Sequence, residues 1–181
     1  MLWISSRVLP NRRSPVDKCV KASALFALLV LAACDKPPAL RMDGVGQARV
    51  GMPLAQAQTS LGLTLPQGVE PNGCFFAASQ TYPGVYAMLE GGALQRLDVR
   101  EGTMKTDTGV GLGDAASKVR DVYGAQVEVL PHKYDTSPGA QYLTVYSVDK
   151  RYALRFITAQ GKIAGIQSGN AEPVQYVEGC G

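Results

Sequence analysis

Two stretches of this chain follow one plan. Val50-Gly51-Met52 leads into Pro53 through Leu61 and then Gly62, and Val110-Gly111-Leu112 leads into Gly113 through Tyr123 and then Gly124. An internal repeat constrains fold strongly, because each copy builds the same supersecondary unit and buries its apolar face against a neighbour. Each bracketed stretch predicts a short helix. Pro53 suits a first helical turn and Asp114 suits a helix N-terminus electrostatically. Ala115, Val119 and Val122 recur at helical spacing, which predicts one apolar face. Gly62 and Gly124 stand where a glycine ends a helix.

Strand-like segments follow each helix. In the first unit they are Cys74–Ser79, Val85–Glu90 and Leu94–Arg100, with Gly91-Gly92 as a hairpin turn. In the second they are Gln126–Leu130, Gln141–Val148, Tyr152–Thr158 and Lys162–Gln167, with turns at Asp149-Lys150 and Gln160-Gly161. Leu97 and Val99 alternate with Arg96, Asp98 and Arg100, which predicts one buried and one wet face. Gly92-Ala93-Leu94 and Leu97 match Gly161-Lys162-Ile163 and Ile166. The offset between the units therefore grows from 60 at Gly51 to 69 at Gly92. The expected fold class is α+β: two tandem units, each one or more short helices followed by an antiparallel β-meander, over residues 49–102 and 103–181.

The start of the chain has a different character. Ala22 to Ala33 is an unbroken small and apolar run behind a basic stretch that holds Arg7, Arg12, Arg13, Lys18 and Lys21 against Asp17. Twelve apolar residues are too few for a spanning helix, which needs about 20, but they suit the core of a secretory signal peptide. Leu31-Ala32-Ala33-Cys34 closes the run and resembles the bacterial lipobox. That resemblance implies a signal peptide over 1–33, cleavage before Cys34, a thioether-linked lipid on its sulfur and a lipidated tether over 34–48 rich in Pro and Gly. The expected location is the periplasmic side of a bacterial cell membrane, inner or outer. Without the leader, the 18 basic and 15 acidic side chains of the whole chain fall to 13 and 14. A nearly neutral domain lacks the basic stripe of a nucleic-acid binder.

Two further cysteines remain, Cys74 and Cys180. In an oxidising compartment an even pair reads as one disulfide, with two separate thiols as the alternative. Two cysteines and one histidine make no zinc signature, so no metal and no cofactor are expected. His132 is the single histidine, in Leu130-Pro131-His132-Lys133-Tyr134-Asp135. Any Ser-His-Asp or Cys-His chemistry would depend on it, yet no G-x-S-x-G elbow is present. A polar connection or a recognition loop over 131–139 accounts for it without catalysis. Gly109 to Gly113 lacks the spacing of a dinucleotide fingerprint and reads as a repeat-unit turn. Tyr142 and Tyr146 share one strand face, and Arg155 on the next strand can join them. His132, Tyr134, Tyr142, Tyr146 and Arg155 are therefore the expected partner-binding residues, with simple coverage of the sheet as the alternative for the tyrosines. Asp98, Glu101 and Asp107, close to Arg96 and Arg100, read as a solvated, charge-balanced face.

The recurrence of Val-Gly-Met/Leu, helix, Gly and a meander ending Gly-x-Leu/Ile-x-x-Leu/Ile resembles the BamE/SmpA-like lipoproteins. It is also similar to the β-lactamase inhibitory protein family, built of two such units. The likeness covers about residues 45–170. It implies a protein-binding domain without catalytic residues, although only one clear helix per unit is present where the family has two. The expected function is a membrane-anchored periplasmic adaptor or assembly module for an envelope protein, not an enzyme. The alternatives are an inhibitor of a periplasmic or secreted enzyme and an envelope enzyme.

Overall fold

The computed structural model describes residues 37–180, so the signal-peptide and Cys34 expectations lie outside the described residues. Residues from Pro37 onward form one compact unit. It contains two α-helices, α1 (Leu54–Leu61) and α2 (Ala116–Tyr123). A small sheet is made of β1 (Leu40–Arg41), β2 (Gly44–Val45) and β3 (Ala48–Arg49). The main sheet takes β4 (Leu63–Thr64), β5 (Phe75–Ser79), β6 (Val85–Glu90) and β7 (Ala93–Val99), then β8 (Glu128–Pro131), β9 (Gln141–Tyr146), β10 (Tyr152–Ala159) and β11 (Lys162–Asn170).

The eight strands run in the order β4-β5-β6-β7-β11-β10-β9-β8. Every pairing is antiparallel. The two meanders thus meet at β7 and β11, where Val99, Asp98, Leu97 and Arg96 lie opposite Ile166, Gln167, Ser168 and Gly169. Both expected units share one sheet. The last hairpin of each half turns through two residues with positive φ, Gly91-Gly92 and Gln160-Gly161, the geometry that matches strand twist. Each hairpin also slips register one step later, at Gln95 and at Ala164.

The same backbone bonds seat both helices. Gly51 donates to Leu94, Leu94 to Met52 and Leu54 to Gly92, while Gly113 donates to Ile163, Ile163 to Asp114 and Ala116 to Gly161. Positions bonded alike are therefore Gly51 and Gly113, a spacing of 62 rather than the 60 read from the Val-Gly pairs. α2 is also shorter than expected and turned by one residue. Ala116 and Val119 are buried and Tyr123 packs on the core, whereas Ala115 and Val122 face solvent. Asp114 lies outside the helix. Its carboxylate accepts the Gly111 amide at 2.9 Å and the Lys118 ammonium at 2.7 Å, which holds its pKa below the ordinary carboxylate range. Gly62 and Gly124 end the helices as expected, both at positive φ.

The expected tether ends too late. Leu40, Val45 and Ala48 are wholly buried, and Leu40 exchanges backbone bonds with Lys105 and Asp107. Among the described residues the first strand begins at Leu40, and 40–48 belong to the core rather than to a linker. That core lies on one face of the large sheet, where Leu61, Leu97, Val99, Leu143, Leu154, Phe156 and Ile166 pack with the helices and the small sheet.

The sheet ends bluntly. β4 has two residues. On β8, the bond from His132 to Ala140 turns the backbone groups of Leu130 and Glu128 inward and those of Val129 and Pro131 outward. Pro131 has no N–H, so it leaves a gap in the row of outward donors.

Candidate functional site

The face of the sheet opposite the core carries unusual residues for its position. Crossing it strand by strand, the side chains are Phe76 on β5, Tyr86 and Met88 on β6, Arg96 and Asp98 on β7, Gln167 on β11, Arg155 and Ile157 on β10, and Tyr142, Thr144 and Tyr146 on β9. The period of two expected this face to be wet. It is not: Arg96 is 2% exposed, Asp98 5%, Arg155 3% and Tyr142 6%. The reading of Asp98 and Arg96 as a solvated pair is corrected accordingly.

The cover is the chain's own C-terminal segment. After β11 it makes one short turn, Pro173–Gln175, against β7, β10 and β11 and ends at Cys180, at disulfide distance from Cys74 with Cα atoms 5.4 Å apart. Pro173 and Val174 are buried. Two arginines hold the segment's main chain. Arg96 donates to the carbonyls of Pro173 at 2.6 Å and Tyr176 at 3.1 Å, with Asp98 as its counter-ion through bonds of 2.7 and 3.1 Å. Arg155 donates to the Gln175 carbonyl at 3.3 Å and to the Gln175 side-chain oxygen. The Gln175 amide in turn donates to Tyr146 Oη at 2.6 Å.

Arg155 sits 4.8 Å from the Tyr142 ring centroid and donates to Thr144 Oγ1 at 3.3 Å. Among the described residues no carboxylate pairs with it, and burial pushes its guanidinium pKa below the ordinary value. Burial likewise raises the Tyr146 phenol. The His132 ring lies 4.6 Å from that of Tyr142, and its Nδ1 accepts the amides of Tyr134 and Asp135. A neutral ring then carries its hydrogen on Nε2. The imidazole thus organises the 132–139 loop, and these contacts include no nucleophile. Tyr134 reaches from that loop to Glu178, whose carboxyl it holds below the ordinary range with help from Lys133.

The five expected residues therefore do converge. Arg155 is buried under the segment, Tyr142 is buried between Arg155 and the His132 ring, His132 and Tyr146 are partly covered, and Tyr134 alone is broadly exposed, at 59%. What sequence reading missed is Arg96, Asp98, Gln175 and a second cluster at the other side of the segment. There Arg100, half-exposed, stacks 4.5 Å from the Phe76 centroid and 4.7 Å from that of Tyr86. It lines a groove of about 320 Å³ between sheet and segment, together with Phe76, Ile157, Val177 and the charged Arg96, Asp98 and Glu178. The signal lay in Pro173-Val174 followed by Cys180: apolar residues and a cysteine beyond the last strand have to pack back onto something. Among the described residues no cluster of three or more metal-ligating side chains occurs, and no helix is long and apolar enough to cross a membrane.

Compared with known proteins, the chain matches no family model, no curated protein and no solved structure.

Proposed function

We propose that this chain is a protein-binding module of the bacterial envelope, tethered on the periplasmic side by a lipid on Cys34 and presenting the strapped sheet face to a protein partner. The observation that carries this is Arg100. A half-exposed arginine close to two aromatic rings, on the lining of a groove with both apolar and charged walls, has the composition of an interface hot spot. No nucleophile, base and orienting group meet around it, so the arrangement suits recognition rather than chemistry. A second reading, inhibition of an enzyme by the 132–139 loop, draws on the exposure of Tyr134 and the ordering of the loop by His132.

Two copies of one ancestral unit fit the fold. The mirrored strand order about β7 and β11, the matched helix-seating bonds and the matched register slips support this reading. The resemblance to tandem BamE/SmpA-like units rests on the same ground.

The test is crosslinked capture from the native envelope, read by mass spectrometry, with wild type beside Arg100→Glu and Tyr86→Ala. A reproducible envelope protein lost at least tenfold in both variants supports the reading; undiminished capture removes this face from it. For the anchor, fatty-acid labelling is expected for wild type and abolished by Cys34→Ser. Equal labelling of both would remove the lipid from Cys34, and no labelling of either would dispose of it.

A further inference from the structure

Three of the residues expected to bind a partner, Tyr134, Tyr146 and Arg155, already bind the chain's own strap at Gln175 and Glu178. We propose that this sheet face is a recognition surface for a short peptide that takes one tight turn, that its resident occupant is the C-terminal strap, and that the Cys74–Cys180 disulfide is the clasp keeping outside peptides off. The inference rests on the protein-binding reading above and names the chemistry of its partner.

The bonds define that chemistry. Arg96 and Arg155 read main-chain carbonyls of Pro173, Gln175 and Tyr176, presented by the short turn Pro173–Gln175 and the residue after it. Selectivity comes from two side chains. Val174 is wholly buried, and the Gln175 amide is held at both ends, its oxygen by Arg155 and its nitrogen by Tyr146. A glutamate at that position would add a charge opposite Arg155, a buried guanidinium with no carboxylate partner among the described residues. The fitting partner is therefore a segment that takes the same short turn, with a small apolar residue followed by Gln or Glu.

The strap is built to leave from its distal end. Its buried side chains are Pro173 and Val174, whereas Val177 and Glu178 are exposed. The contacts of Glu178 with Tyr134 and Lys133 are exposed polar ones, of the kind that contributes little. What fixes the end is the disulfide, and Cys74 is exposed to solvent. A dithiol donor supplies two electrons and two protons, converts the bond to the Cys74 and Cys180 thiols and leaves as its own disulfide. The strap, still joined to β11, then opens and closes over Arg155. An outside peptide competes with it at the millimolar effective concentration of a short tether.

The experiment uses the full chain, oxidised and after dithiothreitol, with a Cys74→Ser/Cys180→Ser variant as the permanently open form. Two readouts need neither the partner nor the membrane. Amide exchange over 173–180 is expected to rise at least tenfold on reduction while β9, β10 and β11 stay protected. Modification of Arg155 by an arginine-selective dicarbonyl reagent, mapped by mass spectrometry, is expected in the reduced and variant proteins and not in the oxidised one. A synthetic peptide of residues 171–179 at several millimolar is expected to restore protection of Arg155, and the same peptide with Gln175→Lys is not. The proposal is overturned if reduction leaves exchange and Arg155 unchanged, if exchange rises across the whole sheet, or if both peptides protect equally or neither does. Failure here would leave the Arg100 surface and its capture experiment standing.

Discussion

Asp98 does more than a surface carboxylate normally does, because it balances Arg96, which is almost completely buried, and reaches Arg100 as well. Removing one member of a buried pair strands the other charge. Asp98→Asn is therefore expected to cost about 3 kcal/mol, seen as an earlier urea midpoint with unchanged slope. An effect near zero would mean that the carbonyls of the strap suffice to hold the guanidinium. Ser168 presents the opposite case. Its hydroxyl is buried on the core face beside Leu97 and Leu154 and finds no hydrogen-bond partner among the described residues. Ser168→Ala removes an unmet polar group and should raise stability by about 1 kcal/mol, readable in the same titration. A loss of stability would point to a partner for that hydroxyl. Neither residue announced itself in the sequence. Period-two alternation placed Arg96 and Asp98 correctly on the face away from the core, but alternation cannot say what covers that face.

Elements were more legible than their surroundings. The hairpin turns, the strands from β5 to β7 and β9 to β11, and the glycines that end both helices follow from local sequence, because turn geometry and alternation act within a few residues. The α2 face was misplaced because Asp114 reads as a helix residue while its carboxylate instead binds the Gly111 amide ahead of the helix. The 40–48 segment looked like linker because Pro and Gly suggest one. Its Leu40, Val45 and Ala48 become core only through bonds to residues far along the chain. The junction of β7 and β11 is equally nonlocal. Gly169 faces Arg96 there with φ of +155°, and a Cβ would stand 2.3 Å from the Gln95 carbonyl oxygen. Gly169→Ala forces the two central strands apart and is expected to cost at least about 2 kcal/mol, measured by thermal unfolding. A tolerated alanine would mean that the seam between the halves is loose.

At the scale of the whole molecule, the sequence pointed to the Cys74–Cys180 pair and to the convergence of five candidate residues, yet not to their occupant. A cluster of tyrosines and an arginine looks the same in sequence whether it faces solvent or its own chain. The clasp also shapes global stability: its residues are separated by 106 positions, and in the chain-entropy model such a crosslink is worth roughly 4–5 kcal/mol. Acid should act on the fold through its carboxylates. Asp149 is lowered to about 2 by Ser147 and Arg151, and Asp114, Asp135 and Glu178 are lowered as well. Groups with depressed pKa stabilise the folded state above their unfolded values, near 4, and lose that contribution as pH falls toward 2. Melting temperature is therefore expected to fall as pH drops below about 4. A midpoint rising in acid would contradict the assigned contacts.

The blunt ends of the large sheet have a consequence for life at a surface. Molecules confined to a plane meet one another far more often than molecules free in solution, and a long open strand edge would let each encounter template the next. Here one edge is a two-residue strand and the other places Pro131 where a neighbouring chain would need an N–H. On the proposed lipid anchor, crowding at a membrane would thus raise occupancy of the proposed recognition face without feeding cross-β growth.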